Sequence, residues 1–494
     1  MKNKYATTAI AYANADPHLG HAYEYVLSDA IVRYLRDILG APTYFLTGMD
    51  EHGQKIFEKA KIENLPTKDF VDKYAKVFQD LDSKLQVTYD RFIRTTDPDH
   101  KEVAQKVWNK ILSKGDLYEK EYSGLYCVGC EEFKTEKDLV DGNCPIHLKP
   151  VVTLSEKNWF FRLSKYTEFL KDLIQTNKLK IVPEFRKNEM LEFIDRGLQD
   201  VSFSRSKELM SWGLPVPNDD TQVMYVWCDA LVNYITGAKV YGKDEVDQKF
   251  FESFWTEGDT LHVIGKDILR FHSLYWPAML ESAELPIPKE ILVHGFITSG
   301  GHKMSKSLGN VILPAEILEK YSQFNTKSFL GDKFSSEVFR YFFLKNINPH
   351  DDGDFTYFRL EELYNADLAN GLGNLVSRVM RLSEKYLDKT DFSSLDLGKH
   401  SELTEAMKEY DVMKAMSYIW KLISNLDQFM QTEQPFKVIK EDLERGKSQL
   451  EYLREQIFII AELLKPFMPE TSIKIKEILE SNTMPELPLF PRYE

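Results

Sequence analysis

Apolar and polar positions follow two different periods along the first part of the chain. Short apolar runs bounded by polar residues predict buried strands, and apolar residues at every third or fourth position predict amphipathic helices between them. The strands are predicted at 7–12, 44–47 and 92–93, and the helices at 21–39, 54–63 and 100–113. Alternation of strands and helices is typical of a doubly wound parallel sheet.

The alternation stops near Gly115 and resumes after about Pro217. Beyond that point, strands are predicted at 223–227, 261–264 and 291–295, with helices from 229 and over 266–281. We therefore predict an α/β fold in which an insertion splits a Rossmann-type sheet into two halves. From Leu360 onward helical periodicity dominates, with a long apolar stripe to Met380 and further helices at 403–430 and 447–464, so the last part is predicted to be all-α.

Composition and charge limit the classes of protein that fit this pattern. Among the 494 residues, 43% are hydrophobic and 28% charged, which is ordinary for a globular protein. No apolar run approaches the roughly 20 residues that span a bilayer, and the N-terminus lacks a signal-peptide pattern, so we expect a cytoplasmic protein. The net charge is -14, and residues 351–494 hold 18 Lys and Arg against 27 Asp and Glu. Binding to a nucleic acid would therefore depend on local patches and base contacts.

Two short motifs carry residues suited to phosphate chemistry. His18-Leu19-Gly20-His21 follows the first predicted strand and opens the first helix, where free backbone N–H groups and the helix dipole favour an anion. Lys303 to Ser307 reads KMSKS and follows two glycines, as in a mobile phosphate clamp. Taken singly, each motif also fits surface histidines or a solvated loop.

Three of the four cysteines lie close together in the insertion. Cys127, Cys130, Cys144 and His147 have the spacing of a zinc knuckle, and three thiolates with one imidazole complete a tetrahedral structural site. We therefore expect one structural Zn²⁺ per chain. Cys228 lies apart from this cluster and is predicted to be a small buried residue.

The two phosphate motifs, in this order and on these elements, resemble the HIGH and KMSKS motifs of class I aminoacyl-tRNA synthetases. Further matches extend the resemblance, to the methionine-specific family, over essentially the whole chain; they lie at 11–14, 50–53, 212–217, 225–230 and 265–268. The family's metal knuckle also occupies the position of the cysteine cluster.

The resemblance implies roles for individual residues. His18, His21, Lys303 and Lys306 would stabilise charge during catalysis, and ATP, as its Mg²⁺ complex, would contact Gly20, Lys266, Asp267 and the same two lysines. Asp50 would bind the ammonium group of methionine. The remaining methionine-binding positions would be Ile10, Tyr12, Trp227, Ala230, Leu231, Tyr234, Ile268 and His272. Without the resemblance, each of these apolar residues would be read as ordinary core. Leu231 departs from the proline that many relatives carry.

The predicted C-terminal helices place Asn370, Asn374 and Arg378 four residues apart, on one helix face. By resemblance this face meets the tRNA anticodon, although the pattern alone also fits a solvated face. Phe436 stands where tryptophan usually stacks on an anticodon base, and phenylalanine can stack as well.

The resemblance implies ATP-dependent activation of L-methionine to methionyl-adenylate and its transfer to tRNA(Met). We expect the chain to divide into two Rossmann halves at 1–115 and 221–330, an insertion at 116–220, a linker or stem-contact region at 331–358, and an anticodon-binding domain at 359–494. Several relatives carry a further C-terminal domain that binds tRNA or dimerises; this chain ends at Glu494 without one, so we expect a monomer.

Other functions remain as alternatives. Sister class I synthetases for leucine, isoleucine or valine carry a large editing domain, whereas only about 280 residues separate the two motifs here. A cysteine-specific enzyme would use zinc in its amino-acid site, but four ligands close the cluster predicted here. A non-catalytic tRNA-binding protein would be expected to have broken motifs. A nucleotidyltransferase that does not use tRNA would not need the helical last third.

Overall fold

A parallel sheet of seven strands forms the centre of the structure. The structure is a computed structural model, and it describes residues 2–127, 132–134, 136–145, 149–208, 210–304 and 310–493. From one edge to the other, the strands are Lys180–Val182, Glu290–His294, Asp259–Gly265, Lys4–Thr8 and Thr43–Asp50, with Ala11–Tyr12 and Arg91–Arg94 both pairing with Thr43–Asp50. All these pairings are parallel, as predicted.

Helices connect these strands and cover the sheet. In the first half they are Leu19–Arg33, Gln54–Ile62, Thr67–Lys84 and Pro98–Ser113; in the second half they are Val226–Ala230, Asn233–Gly237, Glu245–Phe250 and Trp276–Ser282. Wider π-type turns extend three of them, at Tyr34–Ile38, Phe251–Thr256 and Phe271–Tyr275. The first helix is buried over most of its length, because it packs between the sheet and the C-terminal helices.

The insertion is built on antiparallel strands. Leu117–Cys127 and Val152–Phe161 form a long hairpin, flanked by Glu132–Lys134 and Val201–Ser202. Short pairs and helices complete it, at Asn143–Cys144, Lys149–Pro150, Thr167–Gln175 and Glu184–Asp195.

Two details of the predicted sheet are corrected. The run 223–227 was predicted as a strand of the main sheet, but Asp219–Met224 pairs antiparallel with Ser204–Ser206 and Pro215–Val216, and helix begins at Val226. Conversely, Lys180–Val182, within the predicted insertion, adds a strand to the edge of the main sheet. Apolar content fixes burial but not the choice of pairing partner.

The last part is helical, as its periodicity predicts. The helices are Pro314–Ser322, Phe334–Asn346, Tyr357–Leu363, Tyr364–Gly373, Asn374–Tyr386, Ser401–Lys408, Val412–Thr432, Pro435–Glu441, Leu443–Leu464 and Pro469–Ser481. A separate small sheet is formed by Ile297–Ser299, which pairs antiparallel with His302–Lys303 and parallel with Gly353–Phe355. Across the described ranges, no helix has both the length and the apolar character needed to cross a bilayer.

A buried ion pair joins the first helix to the C-terminal helices. The Arg340 guanidinium, which is fully buried, lies 2.7 Å from the Asp29 carboxylate and donates to the carbonyl oxygens of Pro466 and Phe467. Arg33 also binds Asp29, at 2.7 Å. Burial alone would raise the pKa of Asp29, but the two guanidinium groups outweigh it and lower that pKa.

We predict that Arg340→Ala destabilises the protein by about 3–5 kcal/mol, because it leaves the Asp29 charge buried and less well paired. Lys465→Ala is the matched control, since Lys465 and Asp37 join the same two regions through a half-exposed pair at 3.5 Å; its cost should stay below about 1 kcal/mol. Thermal melting of both variants measures the difference. Equal melting temperatures would show that the buried pair does not hold the two regions together.

Candidate active site

A large cavity opens at the carboxyl edge of the main sheet. It lies where strands Lys4–Thr8 and Asp259–Gly265 run side by side and their connections lead to opposite sides of the sheet. Such a switch point is the usual ligand site of doubly wound sheets. The cavity has a volume of about 670 Å³, and its lining includes His18, Gly20, His21, Glu24, Asp267, His294 and Met304.

The start of the first helix presents two imidazole rings to this cavity. His18 caps the helix: the His21 backbone N–H donates to His18 Nδ1, and the His18 N–H donates to His21 Nδ1, both at 3.3 Å. The rings stack with centroids 3.7 Å apart. Because each Nδ1 accepts a hydrogen bond, the proton of each neutral ring lies on Nε2, which makes both rings donors.

His21 stays neutral near pH 7. Burial lowers its pKa well below the usual value, and the neighbouring His18 and His294 lower it further. Gly20 makes the stacked arrangement possible, since a Cβ there would lie 2.9 Å from Cε1 of His18. The helix start therefore presents N–H donors to the cavity, and the His21 ring donates in its neutral form.

A small pocket adjoins the large cavity, and all nine residues predicted to bind methionine line it. They are Ile10, Tyr12, Asp50, Trp227, Ala230, Leu231, Tyr234, Ile268 and His272. Ile10, Tyr12, Trp227 and Ile268 also line the large cavity, so the two spaces are continuous. The small pocket holds only about 20 Å³, room for about one water molecule, so a side chain must open it to enter.

Hydrogen bonds orient the polar end of the small pocket. His272 Nδ1 donates to the Ile268 carbonyl oxygen at 2.9 Å, which leaves Nε2 to accept from the Tyr234 hydroxyl at 2.7 Å. Burial lowers the pKa of His272 to about 4, so the ring is neutral near pH 7. Trp227 stacks on Phe271 at 3.9 Å between centroids. Aromatic walls of this kind suit a thioether.

Asp50 supplies the carboxylate of the small pocket. It ends strand Thr43–Asp50, is 2% exposed, and its Oδ1 accepts the backbone N–H of His52 at 3.2 Å. A carboxylate buried beside a cavity favours a cationic ligand group.

The predicted ATP-binding residues divide into two groups. Gly20 and Asp267 line the large cavity, whereas the Lys266 ammonium lies 2.7 Å from Asp352 and over the ring of Phe296. Lys303 belongs to the short strand His302–Lys303, and Lys306 lies outside the described residues. The glycines before them, Gly300 and Gly301, both adopt positive φ.

The cavity also contains a pair that the sequence analysis missed. His294 donates from Nδ1 to the Gly295 carbonyl oxygen and from Nε2 to Glu24, each at 2.8 Å. Burial disfavours a charged ring, but the Glu24 carboxylate outweighs it and raises the pKa of His294. Two signals for this pair were available in the sequence. His294 is a polar residue near the end of a predicted strand, and Glu24 lies among the apolar positions of the first helix.

The structure describes half of the predicted zinc ligands. Cys127 ends the long strand Leu117–Cys127 and Cys144 lies in the short strand Asn143–Cys144, and both are buried. Cys130 and His147 lie outside the described residues. In the part of the chain that is described, no three potential ligands form a metal-binding group.

The predicted anticodon residues lie on three helices of the C-terminal region, the first two adjacent in sequence and the third separated from them by two further helices. Asn370 and Asn374 are exposed, the first in the wide π-type turn and the second at the start of Asn374–Tyr386. Arg378 is half-buried and binds Asp427 at 2.9 Å. Phe436 is half-buried in helix Pro435–Glu441, with the Lys437 ammonium 5.9 Å from its ring.

Two family models match the chain. The model described as class I tRNA synthetases (M) matches residues 4–150 and 147–380, and the model of the anticodon-binding domain of methionyl-tRNA ligase matches residues 393–488. Together they cover both the sheet with its insertion and most of the helical region.

Individual relatives agree with the family models. Methionine–tRNA ligases of Fusobacterium nucleatum and Mycobacterium bovis are 37% and 38% identical to this chain; each alignment covers 97% of it, with 74% and 92% of the relative. The structure of the Mycobacterium tuberculosis methionyl-tRNA synthetase in complex with methionyl-adenylate matches with a TM-score of 0.89 and 36% identity, and the match covers all of both chains. With the sheet, the cavities and the His18–His21 helix start described, these matches show that the chain belongs to the methionyl-tRNA synthetase family of class I.

Proposed function

We propose that this protein activates L-methionine with ATP and transfers the methionyl group to tRNA(Met). The observation that carries the proposal is the meeting of nine predicted methionine-binding residues in one pocket. That pocket opens into a cavity headed by the His18–His21 helix start. Names of close relatives and the family models support the same reaction.

In the first step, the methionine carboxylate attacks the α-phosphorus of MgATP, the bond to the β-phosphate oxygen breaks, and pyrophosphate leaves. Asp50 holds the substrate ammonium, and the aromatic walls hold the thioether. The Nε2–H groups of His18 and His21 donate to phosphate oxygens as charge develops, helped by the helix dipole. Lys303 and Lys306 add positive charge from the KMSKS loop. Positioning and electrostatics suffice, so no protein nucleophile is required.

In the second step, a hydroxyl of the terminal adenosine of tRNA attacks the carbonyl carbon of the adenylate, and AMP leaves. We propose that Asn370, Asn374, Arg378 and Phe436 contact the anticodon. Exposed amide groups can hydrogen-bond to the edges of unpaired bases, and an aromatic ring beside a lysine ammonium can stack on them. Local contacts of this kind are compatible with the overall negative charge of the helical region.

We predict ATP–pyrophosphate exchange with methionine and none with leucine, isoleucine, valine or cysteine. His21→Ala and Lys306→Ala should each lower the exchange rate by about 100-fold or more, since each removes a donor to the reacting phosphates. Lys465→Ala, far from the cavity, is the control and should leave the rate unchanged. Exchange with another amino acid would overturn the proposed specificity, and no exchange at all would favour a tRNA-binding protein without catalysis.

The KM for methionine should be constant between about pH 6 and 8. Because the pKa of His272 is lowered to about 4, the neutral ring persists throughout this range and continues to accept from Tyr234. Below about pH 4 the protonated ring could no longer accept. Methionine binding, followed by tryptophan fluorescence over this pH range, tests the expectation; an inflection near pH 6.5 would contradict it.

We also propose that Cys127, Cys130, Cys144 and His147 hold one zinc ion. Three thiols and an imidazole are the donors that zinc prefers, and Cys127 and Cys144 are buried near the tip of the insertion. Bound zinc would cross-link this small region, since none of its described residues between 127 and 150 belongs to a hydrophobic core cluster. The role is structural, and neither chemical step passes through the metal.

Metal analysis of the purified protein should give one zinc per chain. Cys144→Ser should lose the zinc, whereas Cys228→Ser, which changes a buried cysteine outside the cluster, should retain it. Equal zinc content in the two variants would refute this assignment.

Two further expectations remain proposals. We propose that the protein works in the cytoplasm, where its tRNA and ATP are found, and that it acts as a monomer. Sedimentation velocity tests the second point.

A further inference from the structure

A buried carboxylate lies behind the small pocket and belongs to neither chemical step. Asp229 is 1% exposed, yet it accepts two hydrogen bonds from imidazole rings: His52 Nδ1 at 2.7 Å from Oδ2, and His100 Nε2 at 2.8 Å from Oδ1. Both histidines are buried as well. Three titratable side chains in the interior are costly unless they are fully hydrogen-bonded, so the arrangement calls for an explanation.

Asp229 is ionised at neutral pH. Burial alone would raise its pKa, but His52 and the hydrogen bonds from both rings outweigh burial and lower the pKa to about 2. An ionised carboxylate only accepts, so each ring must point an N–H toward it. The orientation of His52 is thereby fixed, with Nδ1–H facing Asp229.

The three residues come from three elements that meet at the pocket. Asp229 lies in helix Val226–Ala230, between the pocket residues Trp227 and Ala230. His100 belongs to helix Pro98–Ser113 and comes within 3.3 Å of the Thr236 hydroxyl. His52 lies two residues after Asp50, and its backbone N–H is the donor to the Asp50 carboxylate.

His52 therefore links Asp229 to Asp50 by two hydrogen bonds, one from its ring to Asp229 and one from its backbone N–H to Asp50. One end of this link sits in the wall that carries Trp227, and the other end is the carboxylate that faces the substrate ammonium. The neighbouring residue of the turn is anchored as well, because Glu51 binds Arg94 and its carbonyl oxygen accepts from Trp212 at 2.6 Å. The turn itself includes Gly53 at a φ of 123°, so its backbone path is one that few other residues could adopt.

We propose that Asp229 is a positioning residue for methionine, acting through His52 to hold the Asp50 carboxylate at a fixed place relative to Trp227. The inference rests on the proposed function and adds a residue to its binding site. A carboxylate displaced by about 1 Å would bind the ammonium poorly, and the reacting carboxylate of the substrate would shift with it.

Kinetics distinguish positioning from simple stabilisation. In Asp229→Asn, an NH2 group replaces one of the two carboxylate oxygens. One imidazole N–H then faces a donor instead of an acceptor, so at least one histidine must turn. We expect the KM for methionine in pyrophosphate exchange to rise about 10- to 100-fold. The KM for ATP should stay within about twofold, because neither Asp50 nor His52 lines the large cavity.

Asp82→Asn is the matched control. Asp82 is also a buried aspartate, but it lies on helix Thr67–Lys84 and does not line either cavity. This variant should leave both KM values unchanged.

His52→Gln provides a second test if Asp229→Asn does not fold. It removes the ring that transmits the effect and should raise the KM for methionine like Asp229→Asn. His100→Gln, which changes the other ring, should lower the melting temperature with a smaller change in that KM. A double variant, Asp229→Asn with His52→Gln, should be no worse than the more affected single variant, since both interrupt the same link.

The results separate this inference from the proposed function. If the unmodified protein shows no methionine-dependent exchange, the proposed function fails. If it does, but Asp229→Asn and His52→Gln keep the KM for methionine within about twofold, or raise both KM values equally, Asp229 has only a structural role and the inference is overturned.

Discussion

The carboxylate of Asp29 is the centre of a buried ion pair between the α/β region and the C-terminal helices, which also share one hydrophobic core. It lies in the first helix and binds Arg340, whose guanidinium in turn holds the carbonyl groups of Pro466 and Phe467. The same helix begins at the stacked rings of His18 and His21. One buried helix thus connects the end of the cavity proposed to bind phosphate to the base of the region proposed to bind tRNA.

The active site combines one part that is already open with one part that is closed. Both imidazole rings at the helix start already face the large cavity, and hydrogen bonds between His18 and His21 hold them in place. The small pocket is nearly filled by its own aromatic side chains. In the proposed binding mode, the amino-acid side chain must move protein groups to enter this pocket, so a side chain that makes few contacts once inside is bound weakly.

Much of this architecture could be predicted from the sequence, since burial periodicity and motif order are local signals. Periodicity predicted most of the central strands and the helices that begin near His21, Gln54 and His100, but not helix Thr67–Lys84. The nine predicted residues of the small pocket were named only through the resemblance to a known family. The antiparallel pairing of Asp219–Met224 and the edge strand Lys180–Val182 were not predicted, because pairing partners depend on distant residues. The pairs Glu24–His294 and Asp229–His52 were missed for the same reason: each joins side chains more than 170 positions apart.

The split of the central sheet has a consequence for biosynthesis. Strand Lys4–Thr8 pairs with a strand that begins at Asp259, 255 positions later. At roughly 5–20 residues per second, a ribosome needs roughly 13–50 s to make the second strand after the first. During that interval the nascent chain displays an unsatisfied strand edge beside an apolar face, which is a template for aggregation. Newly made chains are therefore expected to depend on chaperones that shield such an edge until the second half has been synthesised.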